Sequence, residues 1–195
     1  MFSREQLQDL INGKIVGSRF PYDTGNEREV EAHMRRLFYH INRIPNLICE
    51  AEWNHFGSGY ASFVQFFCYR KEDVTIVQEK NGMQEVEISG IIIDICRLAP
   101  VAIMGEDHRF KKIRIQTNEE VSGGHGMLDS PNRLYVSEKL EAIEKQVNEA
   151  LRAFDIKRLR PEQLDKPLSL QVKIPTIYRE PNQYIEMDAI FYWED

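Results

Sequence analysis

The chain has too few cysteines for a disulfide framework, since it holds three, at positions 49, 68 and 96. Their number is odd, and no two of them form a C-x-x-C pair, which also argues against a structural zinc site. Each lies inside an apolar stretch of the sequence. We therefore expect three reduced thiols that are buried in a core.

Long hydrophobic runs are missing as well. The longest, Gly90 to Ile93, is ended by Asp94 and is far shorter than the ~20 apolar residues that a membrane-spanning helix needs. The first six residues have neither the apolar stretch of a secretion signal nor the Arg and Ser bias of a transit peptide. These features predict a cytoplasmic protein without a membrane partner.

Basic residues are also fewer than acidic ones. The 25 Lys and Arg residues are outnumbered by 31 Asp and Glu, which gives a net charge of -6 and argues against nucleic-acid binding. The densest basic stretch, residues 108–114, mixes charged and apolar residues, as the solvent-facing side of a strand does. If the partner is a protein, the negative charge favours a basic one.

The common catalytic signatures are absent from the sequence. It holds no G-x-S-x-G elbow, no phosphate-binding G-x-x-x-x-G-K-[ST] loop, no dinucleotide-binding G-x-G-x-x-G after a strand and no H-E-x-x-H zinc motif. The sequence therefore assigns no catalytic residue, no cofactor and no metal ligand.

What the sequence does contain is the composition and patterning of a folded domain. Hydrophobic residues make up 42% and charged residues 29% of the 195 positions, and no linker composition divides them, so we expect a single domain over residues 1–195. Three helices are predicted, each with a polar cap: the first follows Ser3, the second follows Asn26, and the third follows Ser137.

Strand patterns occupy most of residues 47–116. Residues 60–69 are apolar on both faces, which is typical of a central strand, and Asn81-Gly82 is a strong hairpin signal. Residues 168–174 and 185–193 alternate in polarity and are expected to pair as two further strands. The prediction is an α+β fold: a mainly antiparallel sheet of about six to seven strands, with two or three helices packed against one face. Its expected core includes Trp53, Phe66, Ile93, Val172 and Phe191.

Three groups of polar residues could support chemistry. Asp94 sits among isoleucines, where burial would raise its pKa and make it a possible catalytic acid; it could equally face water or accept a hydrogen bond at a bulge. Glu106, Asp107 and His108 could bind a divalent metal or act as acid and base, although a polar hairpin loop is the simpler interpretation.

The third group centres on His125, which lies in the glycine-rich part of a predicted loop from Thr117 to Arg133. Glycines allow a ligand to approach the backbone and leave the imidazole exposed. A site there would need a partner such as Glu119, Glu120 or Asp129. The alternative is a mobile surface loop without a ligand.

The leading functional hypothesis is a non-enzymatic protein-binding module, possibly an inhibitor or immunity-type protein that acts on a basic partner. Its expected contact surface is the outward side of the C-terminal strand, where aromatic and acidic residues alternate: Tyr184, Glu186, Asp188, Ile190 and Tyr192. This strand could instead be an edge that its charges keep soluble.

The alternative function is a hydrolase or metal-dependent enzyme that uses Asp94, His125 or the cluster at Glu106, Asp107 and His108. Such an enzyme requires its catalytic groups to meet within a few Å in a pocket, whereas a binding protein does not. The sequence leaves the identity of the partner, the oligomeric state and the strand order open.

Overall fold

A computed structural model of the chain describes residues 2–57 and 59–194. Its α-helices are α1 (Arg4–Ile11), α2 (Glu27–Ile41), α3 (Glu141–Ala153) and α4 (Glu186–Ile190). Its strands are β1 (Ile48–Glu52), β2 (Tyr60–Ala61), β3 (Phe63–Tyr69), β4 (Val74–Lys80), β5 (Met83–Cys96), β6 (Val101–Arg114), β7 (Glu119–Gly124), β8 (Lys157–Arg158) and β9 (Trp193–Glu194). In the described part of the chain, no helix is both long and apolar enough to cross a membrane.

The first two helices begin where their caps predict. Ser3 Oγ accepts a hydrogen bond from the backbone N–H of Gln6 at 3.2 Å, and the Gln6 side chain accepts one from the Ser3 N–H at 2.9 Å. Asn26 caps α2 by accepting from the Arg28 N–H at 3.0 Å. The third helix differs, because residues 138–140 form a 3₁₀ turn between Ser137 and the start of α3.

Seven strands form one curled sheet in the order β1-β3-β5-β6-β7. The strands β3 and β4 pair with successive parts of the same edge of β5. The strand β8 pairs in parallel with the start of β6. All other pairs in this sheet are antiparallel, which confirms the predicted α+β class. The Asn81-Gly82 turn joins β4 to β5, and both of its residues have positive φ, as a two-residue hairpin requires.

The two long strands β5 and β6 each have two halves with different surroundings. We call residues 91–96 and 101–106 the proximal half. The distal half, together with the strands that flank it, is the arm: β4, residues 83–90, residues 107–114 and β7. Every residue of the sheet from 91 to 96 is buried, whereas residues 75–80 of β4 are all exposed.

The helices α2 and α3 pack against one face of the proximal half, as predicted, and α1 covers the other face. Ile91 and Ile93 pack with the apolar stripes of α2 and α3 on what we call the outer face. Ile92, whose side chain points the opposite way, packs with α1 and the C-terminal segment on the inner face. The stripe of α1 is fully buried there because it also contacts α4.

The curl of the sheet brings distant strands together over the inner face of the arm. Lys111 on β6 reaches Glu50 on β1, with both carboxylate oxygens 2.7 Å from the Lys111 Nζ atom. A small apolar cluster of Phe67, Tyr69, Val86 and Ile88 fills this inner face. The outer face of the arm has no such covering among the described residues.

The C-terminal third contradicts the prediction of two paired strands. Residues 168–174 form no strand, the segment from Glu186 to Ile190 is helical, and one isolated bridge joins Pro167 to Ile185. The physical reason lies in Asp188, whose buried carboxylate accepts hydrogen bonds from the Ile185 N–H at 2.8 Å and from Arg179. These bonds stabilise a helical turn in place of an extended strand.

The expected core is largely correct. Phe66, Ile93 and Phe191 are buried, while Trp53 and Val172 are partly buried. All three cysteines are buried and free, and Cys49 and Cys68 face each other across β1 and β3 with their sulfur atoms 3.3 Å apart.

Candidate functional site

Asp94 lies at one end of a chain of hydrogen bonds on the inner face of the sheet. Its Oδ1 accepts from the Gln65 side chain at 3.1 Å, and Gln65 Oε1 accepts from Arg109 Nη2 at 2.9 Å. Arg109 Nε in turn donates to Asp107 Oδ2 at 3.2 Å. The network ends where Asp107 Oδ1 accepts from the Gly126 N–H at 3.0 Å.

Burial raises the pKa of Asp94 to about 8, as the sequence predicts for a carboxyl among isoleucines. The charge count of the network agrees with this direction, because it contains two carboxyls but a single cation, Arg109. With Asp94 protonated, the ion pair of Arg109 and Asp107 leaves the network neutral. Asp94 is only 1% exposed, so in this conformation a dissolved substrate has no access to it.

Glu106, Asp107 and His108 lie inside β6 and not in the polar hairpin loop that seemed the simplest interpretation. Their side chains alternate between the two faces of the sheet. Asp107 is buried on the inner face, and Glu106 and His108 share the outer face with 3.6 Å between Glu106 Oε1 and His108 Nε2. Ser89 Oγ lies 3.1 Å from His108 Nδ1, and Glu106 accepts a hydrogen bond from the Ser137 N–H.

His125 is exposed just after β7, and its Nδ1 lies 3.0 Å from the Gly126 carbonyl oxygen. Its proposed partners are engaged elsewhere: Glu119 lies beside Arg114, and Glu120 lies beside Lys111. The predicted loop is also shorter than expected, since its first part forms β7 along β6.

Asp129, the remaining proposed partner of His125, lies beside Ser130, whose Oγ is 3.2 Å from Asp129 Oδ1. Asp94 and Asp107 therefore belong to one network on the buried inner face, whereas Glu106 and His108 lie on the outer face of β6 and His125 lies in an exposed segment. Within residues 2–57 and 59–194, no group of three or more His, Cys, Asp or Glu side chains is arranged to hold a metal ion.

The predicted C-terminal contact surface is wrong in its geometry. Four of its five side chains are buried, and Glu186 alone is partly exposed. The buried ones are Tyr184, Asp188, Ile190 and Tyr192. The Tyr192 hydroxyl donates to the Leu10 carbonyl at 3.1 Å, and the hydroxyl of Tyr184 donates to the Ile174 carbonyl at the same distance. These residues hold the C-terminal segment against the core and present no outward patch.

An outward patch does exist on the outer face of the arm. Strand register aligns Thr75, Glu87, Phe110 and Gly124 in one row across four strands, with their side chains on the same face. Phe110 is 52% exposed, although it stands near the middle of this row. A Cβ atom added at Gly124 would have open space around it, so the phenyl ring has room on that side.

Charged and polar side chains surround Phe110 on the same face. The next row contains Gln78, Glu85, Lys112 and Ser122, and Lys112 Nζ lies 3.0 Å from Glu85 Oε1. The row after that contains Lys80, Met83, Arg114 and Glu119. Together, Glu87 and the two further rows contain three acidic and three basic residues. These charged side chains surround the exposed ring of Phe110.

The sequence predicts the solvent-facing side of a strand for residues 108–114 and does not single out Phe110. The signal that could have identified it is the lone aromatic residue within the alternating stretch 108–114, at a position whose neighbours on the same face are polar. The partners of Asp94 were also missed, because Gln65 and Arg109 look like surface residues until the curl of the sheet covers them.

Comparison with known proteins adds no relative: no protein-family model, no curated protein and no solved structure matches the chain.

Proposed function

We propose that the chain is a non-enzymatic protein-binding module whose contact surface is the outer face of the arm, with Phe110 as its apolar anchor. The observation that supports this most strongly is the half-exposed Phe110 ring among charged side chains. Protein interfaces are enriched in aromatic residues at their centres and have polar rims, and a few such residues supply most of the binding energy.

The shape of the arm favours a macromolecular partner. Its outer face is a four-stranded surface that projects beyond the helices, and strand pairing keeps its side chains in a fixed arrangement before a partner binds. The separation of the catalytic candidates gives the enzyme hypothesis less support, because catalysis requires its groups to converge on one substrate.

A basic partner remains the best match for the whole chain. The net charge of -6 attracts a basic protein over distances up to the Debye length, which is about 8 Å at physiological ionic strength. The contact surface itself is balanced, so it would select a partner by matching charges of both signs. An inhibitor or immunity-type protein working in the cytoplasm fits this combination of long-range attraction and local matching.

The test uses three immobilised baits: the parent chain, Phe110→Ala, and Tyr39→Ala as a matched control. Tyr39 lies on α2 and is 60% exposed, so its truncation removes an exposed aromatic ring away from the arm. Proteins captured from a lysate of the source cells are identified, and the dissociation constant of each candidate is then measured with all three baits. We expect a partner whose affinity falls at least tenfold with Phe110→Ala and is unchanged with Tyr39→Ala.

Circular dichroism and thermal unfolding of both variants establish that they remain folded. The proposal is contradicted if every specific partner binds Phe110→Ala as tightly as it binds the parent chain. If Tyr39→Ala abolished binding and Phe110→Ala did not, the contact surface would lie on α2 instead of the arm.

A further inference from the structure

A small polar pocket lies between α2, the turn at His55 and the segment that follows β5. It encloses about 160 Å³ and is lined on one side by Arg97, His55 and Tyr60 and on the other by Glu27 and Glu31 of α2. At roughly 30 Å³ for each water molecule in the liquid, this volume holds a ligand of about five or six non-hydrogen atoms.

Arg97 differs from the other poorly exposed arginines. The side chains of Arg109, Arg158 and Arg179 each form an ion pair with a carboxylate. In the described part of the chain, no carboxylate oxygen lies within 4.0 Å of the Arg97 guanidinium. Glu31 acts electrostatically on Arg97 but forms no direct ion pair with it, so the guanidinium can still bind a ligand carboxylate in the pocket.

Backbone carbonyls fix the orientation of Arg97. Its Nε donates to the Phe63 carbonyl at 3.2 Å, and its Nη2 donates to the Trp53 carbonyl at 2.8 Å. A guanidinium has five N–H groups, so within the described residues these two bonds leave three without a protein acceptor, and Arg97 lines the pocket. The group is therefore held in place before any ligand arrives.

His55 and Tyr60 add hydrogen-bond donors to the same side. The Ala61 N–H donates to His55 Nδ1 at 2.9 Å, which leaves the proton of the neutral ring on Nε2. Burial and the nearby Arg97 lower the pKa of His55, so the ring is neutral at pH 7. Burial raises the pKa of Tyr60 to about 12, so its hydroxyl keeps its proton.

The turn that holds His55 is strained. His55 and Phe56 have φ values of 54° and 58°, in the left-handed region that non-glycine residues rarely adopt, and Gly57 follows with a positive φ. Strain of this kind is found most often at ligand sites, where the surrounding structure maintains it. Here the His55 ring stacks on that of Tyr60, with 5.2 Å between the ring centroids and 29° between the ring planes.

The opposite side of the pocket is acidic. Glu27 and Glu31 are one helical turn apart on α2, and Arg35 holds the Glu31 carboxylate at 2.6 Å. An anion alone would be repelled by these carboxylates, and a cation alone would be repelled by Arg97. We infer that the pocket binds a small zwitterion, a free α-amino acid, with its carboxylate at Arg97 and His55 and its ammonium group at Glu27 and Glu31. This inference is independent of the binding surface on the arm.

The experiment titrates the ¹⁵N-labelled full chain with L-alanine, acetate and ethylamine, where each of the last two has only one of the two charges. We expect saturable shifts of the Ala61 amide and of the Arg97 side-chain N–H signals with alanine. Acetate and ethylamine should bind at least tenfold more weakly. Shifts that do not saturate with alanine up to tens of millimolar would overturn the inference.

Two variants separate the two sides of the pocket. Arg97→Met should weaken alanine binding at least tenfold, and Arg36→Met, at an exposed position on α2, is the matched control. If Arg97→Met does not fold, Glu27→Gln provides the test: it should weaken alanine binding severalfold and strengthen acetate binding, because it removes a carboxylate that repels the anion. Equal affinity for acetate and alanine, or for ethylamine and alanine, would contradict the inference, because one charge alone would then account for binding.

Discussion

The same two strands run through two different environments, and the outer face of β6 illustrates the contrast. In the proximal half, Ala102 and Met104 on this face are buried beneath α2 and α3. In the distal half, Phe110 and Arg114 on the same face are exposed to solvent. The helices end before the strands do, so the arm projects as a sheet with one solvated face.

Because of this difference, we assign stability to the proximal half and binding to the arm. In the proximal half, large side chains are buried on both faces, and burial of apolar surface is the main favourable term in folding. In the arm, one face has a small apolar cluster and the other faces water, so its outer side chains contribute little to stability. They are therefore free to serve a contact surface.

Truncation of an aromatic side chain in the core should have the largest effect on the free energy of unfolding. Phe66 is completely buried, and its ring lies 5.5 Å from Phe38 and 5.7 Å from Trp53 between centroids. Phe66→Ala should lower the free energy of unfolding by about 4 to 5 kcal/mol in urea titrations. The control is Phe110→Ala, which should change it by less than about 0.5 kcal/mol. Equal losses in the two variants would mean that the arm is part of the core.

Two ion pairs that involve β6, one buried and one partly exposed, test the difference between the two faces of the arm. The side chains of Arg109 and Asp107 are 13% and 5% exposed, and the Arg109 guanidinium also lies 3.9 Å from the centroid of the Phe67 ring. Arg109→Met should cost about 3 to 4 kcal/mol of unfolding free energy, because it leaves Asp107 buried without its partner.

Lys112→Met is the matched control for Arg109→Met, because the pair of Lys112 and Glu85 is solvated on the outer face. It should cost less than about 1 kcal/mol in the same urea titrations. A loss of the same size for both variants would contradict the assignment of opposite faces to these two residues.

The pH dependence of stability tests the state of Asp94. The folded chain keeps its carboxyl protonated up to about pH 8, whereas the ordinary pKa of 3.8 applies in the unfolded chain. The stabilising contribution is therefore complete below pH 3.8 and is lost as the pH rises towards about 8. Asp94→Asn, which can still accept the Gln65 hydrogen bond, should remove this loss.

The expected size of this effect is on the order of 2 to 3 kcal/mol at pH 9, since relaxation of the buried site reduces the full value of the pKa shift. Unfolding midpoints in urea from pH 4 to pH 9, for the parent chain and Asp94→Asn, provide the measurement. Parallel pH profiles would show that Asp94 is ionised in the folded chain at neutral pH.

Local signals predicted the helices and the β4–β5 hairpin, because their causes lie within a few residues. The cap of Ser3 with Gln6 is a contact over three residues, and Asn81-Gly82 fixes its turn through the φ preferences of two. Residues 60–69, which are apolar on both faces, likewise predicted a central strand, and β3 is buried along its whole length.

The errors arise from contacts that the alternation of polar and apolar residues does not reveal. The alternation of residues 185–193 is typical of a strand, but Arg179 and the buried Asp188 stabilise a helical turn there. The polar residues 106–108 resemble a loop, yet pairing with β5 extends β6 through them. The contacts between the site candidates could not be predicted for the same reason, since the curl of the sheet decides which polar residues meet, and local patterns do not encode it.

If a partner contacts the outer face of the arm while the proximal half supplies the stability, the two regions should respond differently to binding. Hydrogen–deuterium exchange of the chain, free and saturated with the captured partner, measures this response. We expect slow exchange in residues 91–104 in both states and new protection on binding in residues 74–80, 107–114 and 119–124. Binding-induced protection confined to α2 and α3, with the arm unchanged, would contradict this expectation.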